Sequence, residues 1–315
     1  MLSLGIDLGG TGFPIGIIDA KTGEIIAEEY YKLSAGMSTD SIVREVVAAV
    51  RPLLAAYPDV KYAGVCSPGV ITPDGTTVIR ANNLPFEHLP LGEVLTEQLG
   101  VRFWLANDGN AAGFGEQLFG GAHGRKNAIV LMLGTGIGGG IVINDKIYVG
   151  KGVAGEVGHI IIHKGGRYCS CKQSGCFEAY ASATGLVTTT RIAMHAHRQD
   201  SLLWQTVKTP EDVDGRTAFL AMDRGDEVAS RVIKEYVEDL ATGMASLDMV
   251  LDPEVFCLGG GIANEGQRLL DLVTPVFRKM VSYKEEGLTK TEITLAQLGD
   301  KAGLIGAAML FQQYQ

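Results

Sequence analysis

The chain opens on an apolar run, Leu2 to Leu8, that breaks at Gly9-Gly10-Thr11-Gly12. A second apolar run, Ile15 to Asp19, turns at Lys21-Thr22-Gly23 and continues from Glu24 to Tyr31. Short apolar runs bounded by glycine and small polar residues predict strands, so this stretch reads as a three-stranded meander with glycines at its first turn. From about Thr39, apolar residues at Ile42, Val43, Val46, Val47, Val50 and Leu54 recur at helical spacing and predict one buried helix face. Pro52 leaves the end of that helix open. Tyr62 to Cys66 then predicts a short buried strand closed by the turn Ser67-Pro68-Gly69.

The same pattern returns near residue 128. Ala128 to Leu133 is apolar, Gly134 to Gly140 is a glycine-rich turn, Ile141 to Ile143 and Lys146 to Val149 are further strands, and Asn144-Asp145 turns between them. This is a repeat of architecture without much residue identity. A long helix with Val228, Val232, Ile233, Val237, Leu240 and Met244 on its stripe ends before Pro253. A buried strand, Val255 to Leu258, runs into a third cluster, Gly259-Gly260-Gly261, and Gly303 to Phe311 predicts a packed C-terminal helix. No low-complexity linker separates the halves. The expected boundary lies at 109/110, where the small residues Ala111-Ala112-Gly113 start a helix.

Composition narrows the class. A length of 315 residues suits one large or two medium domains, and 46% hydrophobic with 20% charged residues is an ordinary globular balance. A net charge of −9 opposes nucleic acid as the main partner, because phosphate binding needs a basic footprint. The 42 glycines are about twice ordinary usage. The N-terminus lacks a basic segment followed by an apolar one, and no run of about 18 apolar residues occurs. The expectation is a cytoplasmic chain with no membrane partner, in which clustered cysteines read as metal ligands rather than disulfides.

Three glycine clusters each follow an apolar strand, where backbone N–H groups form concave arrays suited to phosphate oxygens. Asp7 precedes the first, positioned to face Mg²⁺ near a nucleotide. No Gly-Lys-Ser/Thr follows any of them, and none fits the dinucleotide fingerprint, whose context is a parallel βαβ unit. Asp108 ends an apolar strand and starts a helix, a place for an N-cap or for an exposed general base. The sharpest signal is His159 with Cys169-x-Cys171 and Cys176, within eighteen positions. Three thiolates and one imidazole form the tetrahedral set of a structural Zn²⁺ site. Glu156 and Glu178 flank that knot, and carboxylates suit sugar hydroxyls. Cys66 and Cys257 sit in apolar strands and read as core. His88, His123, His163, His195 and His197 read as surface or core residues.

Together these motifs resemble the ROK family of bacterial sugar kinases, within the actin-like ATPase superfamily. The resemblance rests on Ile6-Asp7-Leu8-Gly9-Gly10-Thr11, Ser67-Pro68-Gly69, Asn107-Asp108, Leu133 to Gly140, Glu156-Val157-Gly158-His159, Cys169-x-Cys171-x₄-Cys176-x-Glu178 and Leu258-Gly259-Gly260-Gly261, and it spans nearly the whole chain. It implies an α/β fold of two actin-like (ribonuclease H-like) domains with an interdomain cleft and a zinc-stabilised loop. The domains would be 1–109 plus 302–315 and 110–301. ATP would lie with its phosphates at Asp7, Gly9, Gly10, Thr11, Gly12, Gly134, Thr135 and Gly136 and its adenosine near Gly259, Gly260 and Gly261. A hexose would be held by Gly69, Asn82 or Asn83, Asn107, Asp108, Glu156, His159 and Glu178. Asp108 would be the base for the 6-hydroxyl, Mg²⁺ would bridge the β- and γ-phosphates, and Zn²⁺ would sit on His159, Cys169, Cys171 and Cys176. Glucose is the first candidate, with fructose, mannose, allose or an N-acetylated hexosamine open, and a homo-oligomer, dimer or tetramer, is expected. Some family relatives use polyphosphate, and others are sugar-sensing repressors with a DNA-binding segment before the first strand. One residue precedes Leu2 here, which leaves that segment no room. The chain departs from the pattern at Gly12, where many members carry Lys, at Phe13-Pro14, and at Lys172, where the knot usually has Gly.

Overall fold

The computed structural model describes residues 1–81, 83–197, 201–282 and 290–314. In chain order the elements are β1 (Leu2–Asp7), β2 (Gly12–Asp19), β3 (Ile25–Lys32), α1 (Thr39–Ala56), β4 (Tyr62–Ser67), β5 (Val70–Ile71), β6 (Val78–Arg80), β7 (Glu87–Leu89), α2 (Leu91–Leu99), β8 (Arg102–Asn107) and α3 (Asp108–Phe119). They continue as β9 (Ala128–Leu133), β10 (Ile137–Ile143), β11 (Lys146–Ile147), α4 (Glu178–Ala181), α5 (Ala183–Ala196), α6 (Leu203–Thr206), α7 (Thr217–Asp223), α8 (Glu227–Leu251), β12 (Val255–Gly259), α9 (Gln267–Met280), β13 (Glu292–Leu295), α10 (Ala302–Ala308) and α11 (Phe311–Tyr314).

Two five-stranded sheets share one order. The first runs β3-β2-β1-β4-β8 and the second β11-β10-β9-β12-β13, each a meander followed by two more strands. β1 pairs with β2 antiparallel and with β4 parallel, β8 joins β4 parallel, and β13 joins β12 parallel. The repeat legible in the meanders therefore extends to whole sheets. A small sheet, β5-β6-β7, is separate. Leu4, Ile6, Phe13, Ile15 and Ile17 are fully buried, and the predicted face of α1 packs in the same core. α1 runs on past Pro52, which lies on the exposed face, so the carbonyl freed by the missing N–H meets water.

Contacts group residues 1–130, 140–155 and 297 onward into one compact unit, and residues 131–139 and 156–296 into a second. The first holds all of α3, where the sequence placed the boundary at 109/110. The reason is close backbone packing: a Cβ on Gly306 of α10 would lie 1.8 Å from the Ala111 carbonyl oxygen of α3. The expected long turn 134–140 is also shorter. Only Gly134-Thr135-Gly136 turns, and Ile137 already begins β10. A Cβ on Gly140 would lie 2.9 Å from the Gly113 Cα, so Gly140 gives α3 a bare strand surface to approach.

Candidate active site

In the first unit, β8 delivers Asn107 and Asp108 to the start of α3. Asn107 is the N-cap: its Oδ1 accepts from the N–H of Gly109 (2.9 Å) and of Asn110 (3.3 Å). Its Nδ2 donates to the Gly69 carbonyl at 3.1 Å, which joins the Ser67-Pro68-Gly69 turn to the same corner. Gly69 holds φ +107°, and a Cβ there would strike the Arg80 carbonyl. Asp108 is the first helical residue, exposed, with Oδ1 accepting from the Gly109 N–H at 2.8 Å. The helix begins at Asp108, where the end of the strand and the start of a helix were expected to meet, and Asn107 caps it.

Asp7 ends β1 opposite Cys66 of β4. Its carboxyl sits above the ordinary value near 3.8, pushed up by burial and by the Asp108 charge and drawn down by the Cys66 thiol, which donates to Oδ1 at 3.2 Å. The first glycine turn is closed by the Gly9 N–H on the Gly12 carbonyl (3.1 Å), and Gly10 lies against the backbone of Asn83. Asn82 falls outside the described residues. Pro14 stays in β2 opposite Tyr30, while the β1–β2 register ends at Ile6 with Ile15. Its missing donor therefore interrupts no rung of the β1–β2 pair.

In the second unit, the ligand atoms of His159, Cys169, Cys171 and Cys176 all lie within 4.8 Å of one another. Cys171 Sγ is 3.5 Å from Cys176 Sγ, and Cys169 Sγ is 3.7 Å from His159 Nδ1. Tetrahedral zinc with Zn–S near 2.3 Å puts its sulfurs about 3.8 Å apart, so the donor set fits Zn²⁺. Burial pushes the Cys176 thiol up to about 12, so a thiolate there calls for a compensating cation. Lys172 adopts φ +72° in the tight turn between Cys171 and Cys176, at a cost of about 1 kcal/mol against glycine. His159 presents Nδ1 to the cysteines and turns Nε2 to Glu156 Oε2, 3.8 Å away. Glu178 links the knot to the second glycine turn: Oε1 accepts from Cys169 Sγ (3.1 Å) and Oε2 from the Ile137 N–H (3.3 Å). A cavity of about 480 Å³ opens between them, lined among others by Thr135, Gly136, Cys169, Glu178, Thr184 and Thr188. The third cluster adjoins the second: a Cβ on Gly260 would lie 2.7 Å from the Leu133 backbone.

The ROK family model matches residues 3–314. This chain belongs to the ROK family. A glucokinase of Streptomyces coelicolor is 33% identical over 99% of this chain and 98% of its own length, and one of Thermotoga maritima 31% over 98% and 97%. A ROK glucokinase of Streptomyces griseus, solved with glucose and AMPPNP, superposes with a TM-score of 0.76 at 33% identity over 98% of this chain and 99% of that one. A ROK hexokinase of Thermus thermophilus gives 0.80 at 28% identity over 98% and 97%. A putative xylose repressor of Caldicellulosiruptor is 27% identical over 98% of this chain and 77% of its own length. The fold is therefore the two-domain actin-like one of the ROK structures. Among the described residues, no helix is long and apolar enough to cross a membrane.

Against the ROK motifs, the structure brings Gly69, Asn107 and Asp108 together in one unit and places Glu156 and Glu178 beside the His159, Cys169, Cys171 and Cys176 cluster in the other. Two residues read from sequence as plain core or surface do more. Cys66 holds Asp7, and His163 pairs with Asp239, 76 residues away. The Asp7–Cys66 register belongs to a parallel ladder, and the His163 pairing to packing on a distant helix. Neither leaves a local signal in the sequence.

Proposed function

We propose that this ROK protein is an ATP-dependent hexose kinase that phosphorylates the 6-hydroxyl of glucose. The observation that carries the reading is the division of labour at the start of α3. Asn107 supplies the cap, so the neighbouring exposed carboxylate of Asp108 is left to act as general base. Asp108 takes the proton of the attacking hydroxyl, while Glu156, His159 and Glu178 accept and donate to the other hydroxyls. The turns Gly9 to Gly12 and Gly134 to Gly136 offer N–H groups to the phosphates, with Gly259 to Gly261 toward the adenosine. Asp7 would hold Mg²⁺, which would neutralise phosphate charge when bound. Zn²⁺ on the knot supplies a fixed loop and takes no part in bond making. The glucokinases among the relatives support glucose as acceptor.

The test is a coupled ADP-release assay over a panel of hexoses and D-xylose, with sugar binding followed in parallel by calorimetry. ADP release with glucose is the expected result. Asp108→Ala should keep glucose binding and lose turnover by about 10²–10⁴-fold. Near-normal turnover in that variant would remove Asp108 as base. Sugar binding with no ADP release from any panel member would favour a sugar sensor over a kinase.

A further inference from the structure

One side of the knot carries the four donor atoms; the other rests on α8. Along that helix Tyr236, Asp239 and Gly243 are three and four residues apart, which puts them on one face. Tyr236 Oη donates to the Ala181 carbonyl at 2.9 Å. Gly243 receives the ring of Phe177, the residue after Cys176: a Cβ there would lie 2.3 Å from the ring. Between these two contacts stands Asp239, with its side chain only 10% exposed. His163 Nε2 donates to Asp239 Oδ1 at 2.6 Å, and among the described residues it is the polar partner of that carboxylate.

The surroundings hold His163 in place. Its ring lies 4.4 Å from that of Tyr180, and the Arg167 guanidinium covers Tyr180 at 4.6 Å. Arg167 also reaches to 4.0 Å from Glu235, one turn before Asp239 on α8. Two bases four apart on the knot's loop thus meet two acids four apart on the helix. The loop passes this position on to the metal ligands. The N–H groups of Ile162 (2.9 Å) and His163 (3.2 Å) both donate to the Gly175 carbonyl, next to Cys176. Gly175 holds φ +89°, and a Cβ there would lie 1.8 Å from the His163 carbonyl oxygen, so only glycine fits.

We infer that His163 and Asp239 form a positioning pair, a latch independent of the metal that seats the knot on α8 and thereby sets where Cys176, His159 and Glu178 stand. A buried carboxylate persists only with a partner, and a short charge-assisted bond fixes direction as well as distance. Groups that orient metal ligands govern metal affinity as well as position. The consequence for acceptor binding rests on the hexose kinase reading; the consequence for zinc does not.

Zinc affinity is measured on the full chain by competition with a chromogenic chelator, for His163→Ala, His163→Gln and Asp239→Asn. His163→Ala and Asp239→Asn should bind zinc about 10-fold more weakly or worse. His163→Gln, which keeps an N–H for Asp239, should recover most of the loss even if His163→Ala fails to fold. In the kinase assay, the sugar KM should rise several-fold with the ATP KM unchanged. Zinc affinity within twofold of wild type in Asp239→Asn, or in a folded His163→Ala, would overturn the latch. So would equal rises in both KM values. Weakened zinc binding in a protein that phosphorylates no sugar would sustain the latch while sinking the kinase reading.

Discussion

Replacing Asn107 by alanine removes three hydrogen bonds at once. Two come from the cap, Oδ1 with the N–H groups of Gly109 and Asn110, and the third is Nδ2 on the Gly69 carbonyl. Losing an N-cap of this kind costs about 1 kcal/mol, and a neutral side-chain bond to a partly buried carbonyl about 1 more. The sum, about 2 kcal/mol, should lower the melting temperature of the unit that contains α3 by roughly 4–8 °C in differential scanning calorimetry. Turnover should fall further than stability, because Asp108, which already accepts from the Gly109 N–H, would be drawn toward the N–H groups that the lost cap releases. A base drawn into capping is lost to the sugar hydroxyl. Asn107→Asp separates the two contributions. It keeps an acceptor at the cap and adds negative charge at a helix N-terminus, but sets an oxygen against the Gly69 carbonyl. It should recover roughly half of the lost stability. The reasoning fails if Asn107→Ala melts within about 1 °C of wild type, or if Asn107→Asp falls as far as the alanine variant.

Two further perturbations test the other parts of the site. Cys171→Ala leaves three of four ligands and should lose zinc, read by elemental analysis, together with most sugar turnover; full activity in zinc-free protein would refute the role given to the loop. Asp7→Asn should raise the melting temperature at neutral pH while abolishing nucleotide-dependent turnover. Burial, and secondarily the Asp108 charge, holds the Asp7 carboxyl above its unfolded value, so its protonated form stabilises the fold fully at pH below about 3.8 and that contribution is lost as pH rises through the higher folded value. The advantage of the Asn variant should therefore shrink as pH is lowered toward 4, and an advantage independent of pH would exclude ionisation of Asp7 as the cause.

Chemistry that depends on residues close in the chain was legible without coordinates. The knot is an example: His159 and three cysteines within eighteen positions have few ways to satisfy four soft donors other than one metal. The glycine turns after β1, β9 and β12 were legible because a chain leaving a buried strand at a tight turn needs residues without side chains. The meander was visible twice because strand periodicity and turn residues are local. What carried no local mark was everything set by packing between distant segments. The place of Asp108 looked ambiguous until Asn107 was seen to cap α3 and to reach Gly69, 38 residues earlier. The extent of α3's unit depended on Gly306 meeting Ala111.

By itself, then, the sequence determined the family, the cluster of four candidate metal donors and the glycine turns that follow buried strands, since each rests on residue types at short spacing. Tertiary structure alone decided that Asn107 rather than Asp108 caps α3, that Cys66 holds Asp7, and that a buried aspartate on α8 meets His163 of the knot's loop. Those are matters of register and packing, where groups 59 or 76 residues apart meet because burial brings their elements together and a buried polar atom must find a partner.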